Sequence, residues 1–193
     1  MLAIFDVEGV LYDAEYLPIL AEKLNKEKEI WEITKQGIQG KINWEEGLKQ
    51  RVELLRGLDY ETCVEVANSL PIMTGAREAC QTLKNAGWKL MAVSGGFTII
   101  TDRLKQELHL DYIFSNELVF KDNKLDGVIV NVNADKAKSA KTKIVEWNEN
   151  EENITVVVDG ANDVKLCDIS GLGIACRSEE HTSELQSRAY LVC

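Results

Sequence analysis

Two carboxylates stand two residues apart near the start of the chain, directly after a short apolar run. The run is Leu2-Ala3-Ile4-Phe5, and Asp6 and Glu8 follow it. Four apolar residues without alternation are typical of a strand buried on both faces, as in parallel sheets. Ligands of open α/β sheets bind outside the carboxyl ends of the strands. The pattern predicts a nucleophile, an acid–base group and a cation site in one loop; a solvated acidic turn is the alternative.

Two later segments end in the same kind of polar group. The apolar run Leu90–Val93 is followed by Ser94-Gly95-Gly96 and then by a helical pattern. Glycines let a backbone approach a ligand closely, and free N–H groups at a helix start attract phosphate. The β-branched run Ile154–Val158 is followed by Asp159-Gly-Ala-Asn-Asp163. Each segment alone is compatible with an ordinary turn, but three strands that end this way favour a shared site for phosphate and a cation.

The combined motifs resemble those of the haloacid dehalogenase superfamily of phosphatases, and the chain is similar in particular to the phosphoserine phosphatases. The resemblance extends from about residue 1 to residue 176. It rests on four segments in the same order and with similar spacing: Asp6-Val-Glu8-Gly-Val, Ser94-Gly-Gly-Phe, a lysine at 141, and Asp159-Gly-Ala-Asn-Asp163.

The resemblance implies hydrolysis of a phosphomonoester through an aspartyl-phosphate. Asp6 is the implied nucleophile, and Glu8 is the implied acid–base group. Because other carboxylates lie nearby under a closed lid, we expect the pKa of Glu8 to rise toward neutrality. The implied cofactor is Mg²⁺, which suits an all-oxygen site. Its implied ligands are Asp6, the backbone carbonyl of Glu8 and Asp159, with Asp163 in support.

Further residues are implied to hold the phosphoryl group. Ser94 and the Gly95 N–H would bind its oxygens, and Asn162 would reach either the phosphoryl group or the lid. A cation must also meet the phosphate, and the stretch 135–143 holds four lysines, most of which are expected on a solvated face. We expect Lys141 to be the phosphate ligand because it stands in the family's position, with Lys138 as the second candidate.

Two positions depart from the family's usual pattern. The family more often has Asp where this chain has Glu8, and usually has Gly where it has Val158. Phosphoserine phosphatases that also transfer phosphate to homoserine carry a similar Asp-x-Glu-Gly-Val. A phosphotransferase that uses homoserine therefore remains an alternative, and a non-catalytic binding protein is a further one.

The predicted substrate is O-phospho-L-serine. An apolar helical stripe is formed by Leu48, Val52 and Leu55, and Arg51 lies on it, where it either extends into solvent or awaits an anion. The resemblance implies that Arg51 receives the substrate carboxylate and that Glu15 receives its ammonium. Ile38 and Trp44 match apolar positions that line the pocket. The alternative is another small phosphomonoester.

The apolar runs predict an α/β fold. Residues 1–13 and 74–176 alternate strand-like and helical stretches, as in a doubly wound parallel sheet. Residues 14–73 predict four short helices instead, at 15–24, 28–36, 44–55 and 60–70. A helical insertion after the first loop can cover the sheet edge and exclude water. We therefore expect a Rossmann-like core with a small inserted helical cap, and a β-hairpin at 114–120 and 125–132.

The bulk properties limit the possible partners. The chain has 193 residues, 45% of them hydrophobic, and a net charge of −10, so polyanions such as nucleic acids and anionic membranes are expected to be repelled. Without a membrane-length apolar stretch or a signal peptide, the cytoplasm is the expected location. The five cysteines are expected to be reduced, and two histidines make a histidine triad or zinc site improbable. We expect a monomer or homodimer.

The sequence pattern changes after the strand-like run Gly171–Cys176. Residues from Arg177 onward match the conceptual translation of a common sequencing-library adapter, and a solvated helix is the alternative. We interpret residues 177–193 as non-native read-through and leave them out of the fold prediction. Phosphatases of the resembled family continue here with a helix and a strand. We therefore expect Gly171–Cys176 to form an uncovered edge of the sheet.

Overall fold

A seven-stranded sheet forms the centre of the protein, in the order β4-β3-β2-β1-β5-β6-β7. The computed structural model describes residues 1–132, 134–159, 163–176 and 190–192. Every neighbouring pair of strands is parallel except β3 and β4. The strands are β1 (Leu2–Phe5), β2 (Lys89–Phe97), β3 (Tyr112–Lys121), β4 (Lys124–Ile129), β5 (Ile154–Val158), β6 (Leu172–Ala175) and β7 (Tyr190–Val192). The predicted α/β class with a mainly parallel sheet is confirmed.

Strand β1 lies in the middle of the sheet, between β2 and β5. All four of its residues are buried, which explains why its sequence is apolar without alternation. The backbone N–H of Asp6 continues the ladder by donating to the carbonyl of Val157 at 2.9 Å. The first carboxylate of the chain therefore emerges at the centre of the carboxyl edge.

Four helices connect β1 to the rest of the core, and we call them the helical cap: α1 (Tyr16–Glu22), α2 (Glu27–Ile38), α3 (Trp44–Leu54) and α4 (Tyr60–Ser69). They correspond to the four predicted helices, with ends that differ by a few residues. The core helices are α5 (Ala76–Asn85), α6 (Thr98–Glu107), α7 (Lys136–Glu146) and α8 (Val164–Cys167). Among the described helices, each is too short or too polar to cross a membrane.

The predicted β-hairpin is present and reaches the cap. Strand β3 pairs with β2 up to Asn116 and with β4 from Glu117 onward, so the hairpin extends beyond the parallel sheet. Near its tip, Leu125 exchanges backbone hydrogen bonds with the turn between α3 and α4: its carbonyl accepts from Gly57 and its N–H donates to Leu58, both at 2.8 Å. Strand β4 then returns the chain toward the carboxyl edge, where α7 begins.

Two hydrophobic clusters cover the two faces of the sheet. The first joins the cap to the core, because buried side chains of α3 such as Leu48 and Val52 belong to the same cluster as Phe97 and Ile100. The second lies on the opposite face under α7 and α8. The cap and the core therefore share one apolar interior, which also fixes the cap above the carboxyl edge.

Strand β6 is not the edge of the described sheet, contrary to the expectation from the sequence. Residues 190–192 form β7, which pairs in parallel with β6 from Gly173 to Ala175. Strand β7 thus pairs with the backbone edge of β6, which the sequence analysis expected to be uncovered. Residues 177–189 and Cys193 lie outside the described part of the chain, and the interpretation of 177–193 as adapter read-through stays a prediction.

Candidate active site

Three carboxylates meet at the carboxyl edge of the sheet. Asp6 follows β1, Asp159 follows β5, and Asp163 precedes α8. Carboxylate oxygens of the three side chains lie within 4.8 Å of one another. Asp6 and Asp163 are buried, and Asp159 is half-buried. The strand ends thus bring together three acidic residues that are far apart in the sequence, as the motifs predict.

A lysine lies among these carboxylates, and it is Lys136. Its Nζ donates to Oδ1 of Asp6 at 2.7 Å and to Oδ2 of Asp163 at 3.1 Å. Lys136 is the first residue of α7, at the end of the helix that faces the carboxyl edge. Lys141 and Lys138 lie farther along α7 with exposed side chains. The structure therefore contradicts the predicted placement of Lys141 at the site, and Lys136 takes that place.

Burial and mutual repulsion shape the titration of this group. Burial, together with the charge of Asp6, raises the pKa of Asp159 to about 6 against the opposing effect of Lys136. Burial likewise raises the pKa of Asp163. Burial opposes the charged form of Lys136, but the charges of Asp6 and Asp163 outweigh it and raise the lysine's pKa. The cluster holds more negative charge than one ammonium offsets, so it favours an additional cation.

Glu8 is held by the first turn of the cap. Its Oε1 accepts a hydrogen bond of 2.6 Å from the backbone N–H of Tyr16, the first residue of α1. Burial raises the pKa of Glu8 to about 7 although this hydrogen bond opposes the shift, in the direction that the sequence predicts. Gly96 leaves room for the long side chain, since a Cβ there would lie 2.7 Å from Oε2 of Glu8. Glu8 can therefore gain or lose a proton near neutral pH.

Gly9 lets the first loop pass close to Asp159. Its φ is +86°, a left-handed conformation that costs other residues about 1–2 kcal/mol. A Cβ on Gly9 would also overlap the Asp159 carboxylate. Glycine is thus required here both by the backbone and by the neighbouring acid.

Replacing this glycine should destabilise the protein more than the backbone conformation alone explains. We expect Gly9→Ala to lower the free energy of unfolding by about 1–3 kcal/mol beyond the left-handed cost, because the methyl group displaces Asp159. Gly57→Ala is the matched control, since Gly57 has a φ of +90° and open space around its Cβ position. Urea denaturation of both variants measures the difference. Equal losses of stability would contradict the proposed clash.

The predicted phosphate loop is the end of β2. Ser94 is buried, and its Oγ accepts a hydrogen bond of 2.9 Å from the backbone N–H of Gly96. Gly95 faces the cap, because a Cβ on it would lie 3.2 Å from the indole ring of Trp44. Because neither glycine has a side chain, Glu8 can approach this loop at Gly96, and Trp44 of the cap can approach it at Gly95.

One cavity of about 410 Å³ separates the cap from the carboxyl edge. Lys136 lies in its wall. Eight residues predicted for the site also line it: Asp6, Glu8, Glu15, Trp44, Arg51, Gly95, Asp159 and Asp163. Most of the residues predicted for the site therefore line one cavity, and the buried Ser94 precedes the lining residue Gly95.

Arg51 is a half-buried cation on the cap side of this cavity. Its Nε donates to the carbonyl of Gly47 at 3.2 Å, one helical turn earlier. Burial lowers the pKa of the guanidinium, while the charges of Glu8 and Glu15 oppose that effect. The sequence left open whether Arg51 extends into solvent or awaits an anion, and in the structure Arg51 lines the cavity. An anionic group of a ligand would meet Arg51 there.

Two residues predicted for the site cannot be placed. Asn162 lies outside the described residues, and of Ile38 only the backbone, at the end of α2, is described. No short sequence pattern distinguishes Lys136 from the other lysines of α7, because the choice depends on where the helix begins relative to the sheet.

Comparison with known proteins gives a family match over most of the chain. Residues 1–167 match the family described as haloacid dehalogenase-like hydrolase. The phosphoserine phosphatase of Archaeoglobus fulgidus is 39% identical over 184 residues, which are 93% of this chain and 53% of that protein. The chain thus spans about half the length of that relative. The phosphoserine phosphatase of Methanocaldococcus jannaschii is 36% identical over 90% of this chain and 84% of its own length.

Solved structures agree with the sequence relatives. A phospho-aspartyl intermediate analogue of phosphoserine phosphatase superposes with a TM-score of 0.87 at 32% identity, covering 100% of this chain and 91% of that one. A substrate-bound phosphoserine phosphatase complex superposes with a TM-score of 0.88 at 32% identity, covering 99% and 91% of the two chains. The described fold is therefore shared with solved structures that carry the name phosphoserine phosphatase.

Proposed function

Because this chain belongs to the haloacid dehalogenase-like hydrolases, we propose that it hydrolyses O-phospho-L-serine to L-serine and inorganic phosphate. Its relatives of 30–39% identity that carry the name phosphoserine phosphatase support the reaction. The predicted motifs support it independently, since Asp6, Asp159 and Asp163 meet at one edge of the sheet. The proposal covers both the chemistry at the sheet and the choice of substrate by the cap.

The distribution of charge around the cavity carries the proposal. Lys136 lies on the sheet side among the carboxylates, while Arg51 and Glu15 line the cap side of the same cavity. L-Phosphoserine has a phosphate at one end and an ammonium and a carboxylate at the other. A cation and an anion on the cap side match that zwitterionic end, and a simple sugar phosphate has no groups to match them.

Asp6 is the group that attacks phosphorus. A carboxylate oxygen of Asp6 forms a bond to phosphorus while the bond between phosphorus and the serine oxygen breaks, which gives an aspartyl-phosphate and the serine alkoxide. Glu8 donates its proton to that alkoxide and then accepts a proton from the water that hydrolyses the aspartyl-phosphate. Its pKa of about 7 suits both steps. The hydrogen bond from Tyr16 keeps Oε1 occupied and leaves Oε2 for the transferred proton.

Three groups are proposed to hold the phosphoryl oxygens. The Nζ of Lys136 lies 2.7 Å from the nucleophile Asp6, where it would contact both the attacking and the transferred oxygens. The Ser94 hydroxyl already accepts from Gly96, so its proton is available to a phosphoryl oxygen. The N–H of Gly95 is the third donor. Donors aimed at the charge that develops in the transition state are a main source of catalysis.

The residues present fit Mg²⁺, which the family resemblance implies. The donor set consists of oxygens alone, from the carboxylates of Asp6, Asp159 and Asp163, and Mg²⁺ prefers such ligands. The family resemblance adds the backbone carbonyl of Glu8 as a further ligand. Burial, with a smaller contribution from the charge of Asp6, raises the pKa values of Asp159 and Asp163, and a divalent cation would offset both effects by stabilising the charged carboxylates. When bound, Mg²⁺ would reduce the repulsion between the phosphate and the Asp6 carboxylate.

Substitution of Arg51 tests the choice of substrate. With Mg²⁺ present, we expect Arg51→Ala to raise the KM for phosphoserine about 10- to 100-fold, because a charge-assisted hydrogen bond to the substrate carboxylate is lost. Hydrolysis of phenyl phosphate, which has no carboxylate, should change little. Phosphate release from both substrates over a range of concentrations measures the two effects.

Arg56→Ala is the control for the loss of a positive charge from the same region. Arg56 follows α3, is exposed, and pairs with Glu53 and Asp126 instead of lining the cavity. Arg56→Ala should leave the KM for phosphoserine and the hydrolysis of phenyl phosphate unchanged. An unchanged KM for phosphoserine in Arg51→Ala would contradict the proposed substrate and favour another phosphomonoester. Addition of homoserine reveals the alternative acceptor, since O-phosphohomoserine would then form in place of inorganic phosphate.

A further inference from the structure

Asn116 is a fully buried polar residue that the proposed reaction does not use directly. It lies in β3 at the point where that strand stops pairing with β2 and begins to pair with β4. Its side chain points between two loops that both carry groups of the site. Buried side-chain amides persist when their hydrogen-bonding atoms have partners, so the partners of Asn116 indicate what it holds.

The amide nitrogen of Asn116 fixes the phosphate loop. Nδ2 donates to the carbonyl of Gly95 at 2.8 Å, and the N–H of the same peptide unit, that of Gly96, donates to Oγ of Ser94 at 2.9 Å. Glycines on both sides leave this peptide unit with little conformational restraint of its own. Asn116 and Ser94 thus restrain this peptide unit from its two ends, and within the described part of the chain the Ser94 hydroxyl donates to no other group.

The amide oxygen of Asn116 fixes the segment that leads to Lys136. Oδ1 accepts from the backbone N–H groups of Asn131 and Val132, at 2.9 and 2.8 Å. These residues follow the last pair of the β3–β4 ladder, which joins Glu117 to Ile129. The side chain of Asn116 therefore continues the ladder where the backbone leaves it and sets the path into α7.

We infer that Asn116 is a positioning residue that holds Ser94 and Lys136 in register with each other. Two N–H donors and one carbonyl surround its amide, so a single orientation of the amide satisfies all three. The residue connects the two elements that the proposed function assigns to the phosphoryl group, and the inference rests on that function. Its effect should reach the phosphate end of the ligand and not the amino-acid end bound by the cap.

The test compares Asn116→Leu with Ser115→Ala in the presence of Mg²⁺. Leucine is similar in size but makes none of the three hydrogen bonds. Ser115 is the preceding residue of the same strand, and its hydroxyl contacts Thr101 of α6 at 3.1 Å instead of either loop. We expect Asn116→Leu to lower kcat about 100-fold, since a small misplacement of catalytic groups costs that much. Ser115→Ala should keep kcat within about twofold.

Product inhibition separates positioning from general damage to the fold. In Asn116→Leu the inhibition constant of inorganic phosphate should rise about tenfold, equivalent to about 1.4 kcal/mol of binding free energy, while that of L-serine stays the same. A merely structural role would weaken both products alike. Equal changes in the two constants, or an unchanged constant for phosphate in a folded variant, would overturn the inference.

Hydrogen exchange of the unmodified protein tests the same connection should Asn116→Leu not fold. With Mg²⁺ present throughout, addition of inorganic phosphate should slow exchange of the Asn131 and Val132 amides, because the bound anion stabilises the shared network. Unaltered exchange there would count against the inference. Failure of the proposed function is distinguishable, since the unmodified protein would then neither hydrolyse phosphoserine nor respond to L-serine.

Discussion

Asp6→Asn should release no measurable phosphate from phosphoserine, a loss of at least about 10⁴-fold, because the amide cannot attack phosphorus. The side chain keeps its size, and the amide oxygen can still accept the 2.7 Å hydrogen bond from the backbone N–H of Val7. The position of Asp6 at the end of the central strand is set by backbone pairing with Val157, which the substitution does not touch. The fold should therefore survive the change.

Two measurements distinguish the loss of a nucleophile from a loss of activity caused by misfolding. Rapid acid quenching of the unmodified protein with phosphoserine should show the peptide that contains Asp6 with the added mass of one phosphoryl group. The same peptide of Asp6→Asn should show no such mass, while circular dichroism confirms that the variant is folded. Turnover by Asp6→Asn at more than about one hundredth of the normal rate would exclude Asp6 as the nucleophile.

Lys136→Met should lower kcat/KM by about 10²- to 10³-fold, the usual effect of losing one donor that stabilises transition-state charge. The ammonium of Lys136 lies between Asp6 and Asp163, so its removal leaves the nucleophile and the phosphate without the nearest cation. Inorganic phosphate should also bind more weakly. Steady-state assays with phosphoserine at fixed Mg²⁺ measure both effects.

Lys141→Met provides the matched control for the lysine on the same helix. The substitution is chemically identical, but Lys141 is exposed and is not among the residues that line the cavity. We expect kcat/KM to change by less than about twofold, as for most exposed positions without special contacts. The reverse pattern, with Lys141→Met inactive and Lys136→Met active, would restore the prediction made from the sequence.

The sequence predicts the fold well because its signals are local. The hairpin follows from two apolar runs separated by a polar turn, and the four cap helices follow from glycine and asparagine breaks between helical patterns. The strand ends also identify Asp6, Asp159 and Asp163 as neighbours, since parallel strands deliver their carboxyl ends to one edge. Each of these inferences needs only the composition of a short segment.

The choice between the lysines of α7 needs more than local composition. Lys136 and Lys141 stand in similar surroundings in the sequence, but five residues of α-helix separate them by about 7.5 Å along the axis and about 140° around it. Which lysine reaches Asp6 depends on where α7 begins relative to the sheet. That position is set by the path of β4 and by the hydrogen bonds of Asn116, which no short sequence pattern reveals.

The apolar interior that the cap shares with the core limits how the specificity of this protein can be engineered. A cap that rested on the core through polar contacts could be exchanged for another as a separate module. Here the α3 side chains Leu48 and Val52 belong to the same cluster as Phe97 and Ile100. A transplanted cap would have to bring complementary volumes for these positions, or redesign of the ligand range would cost stability.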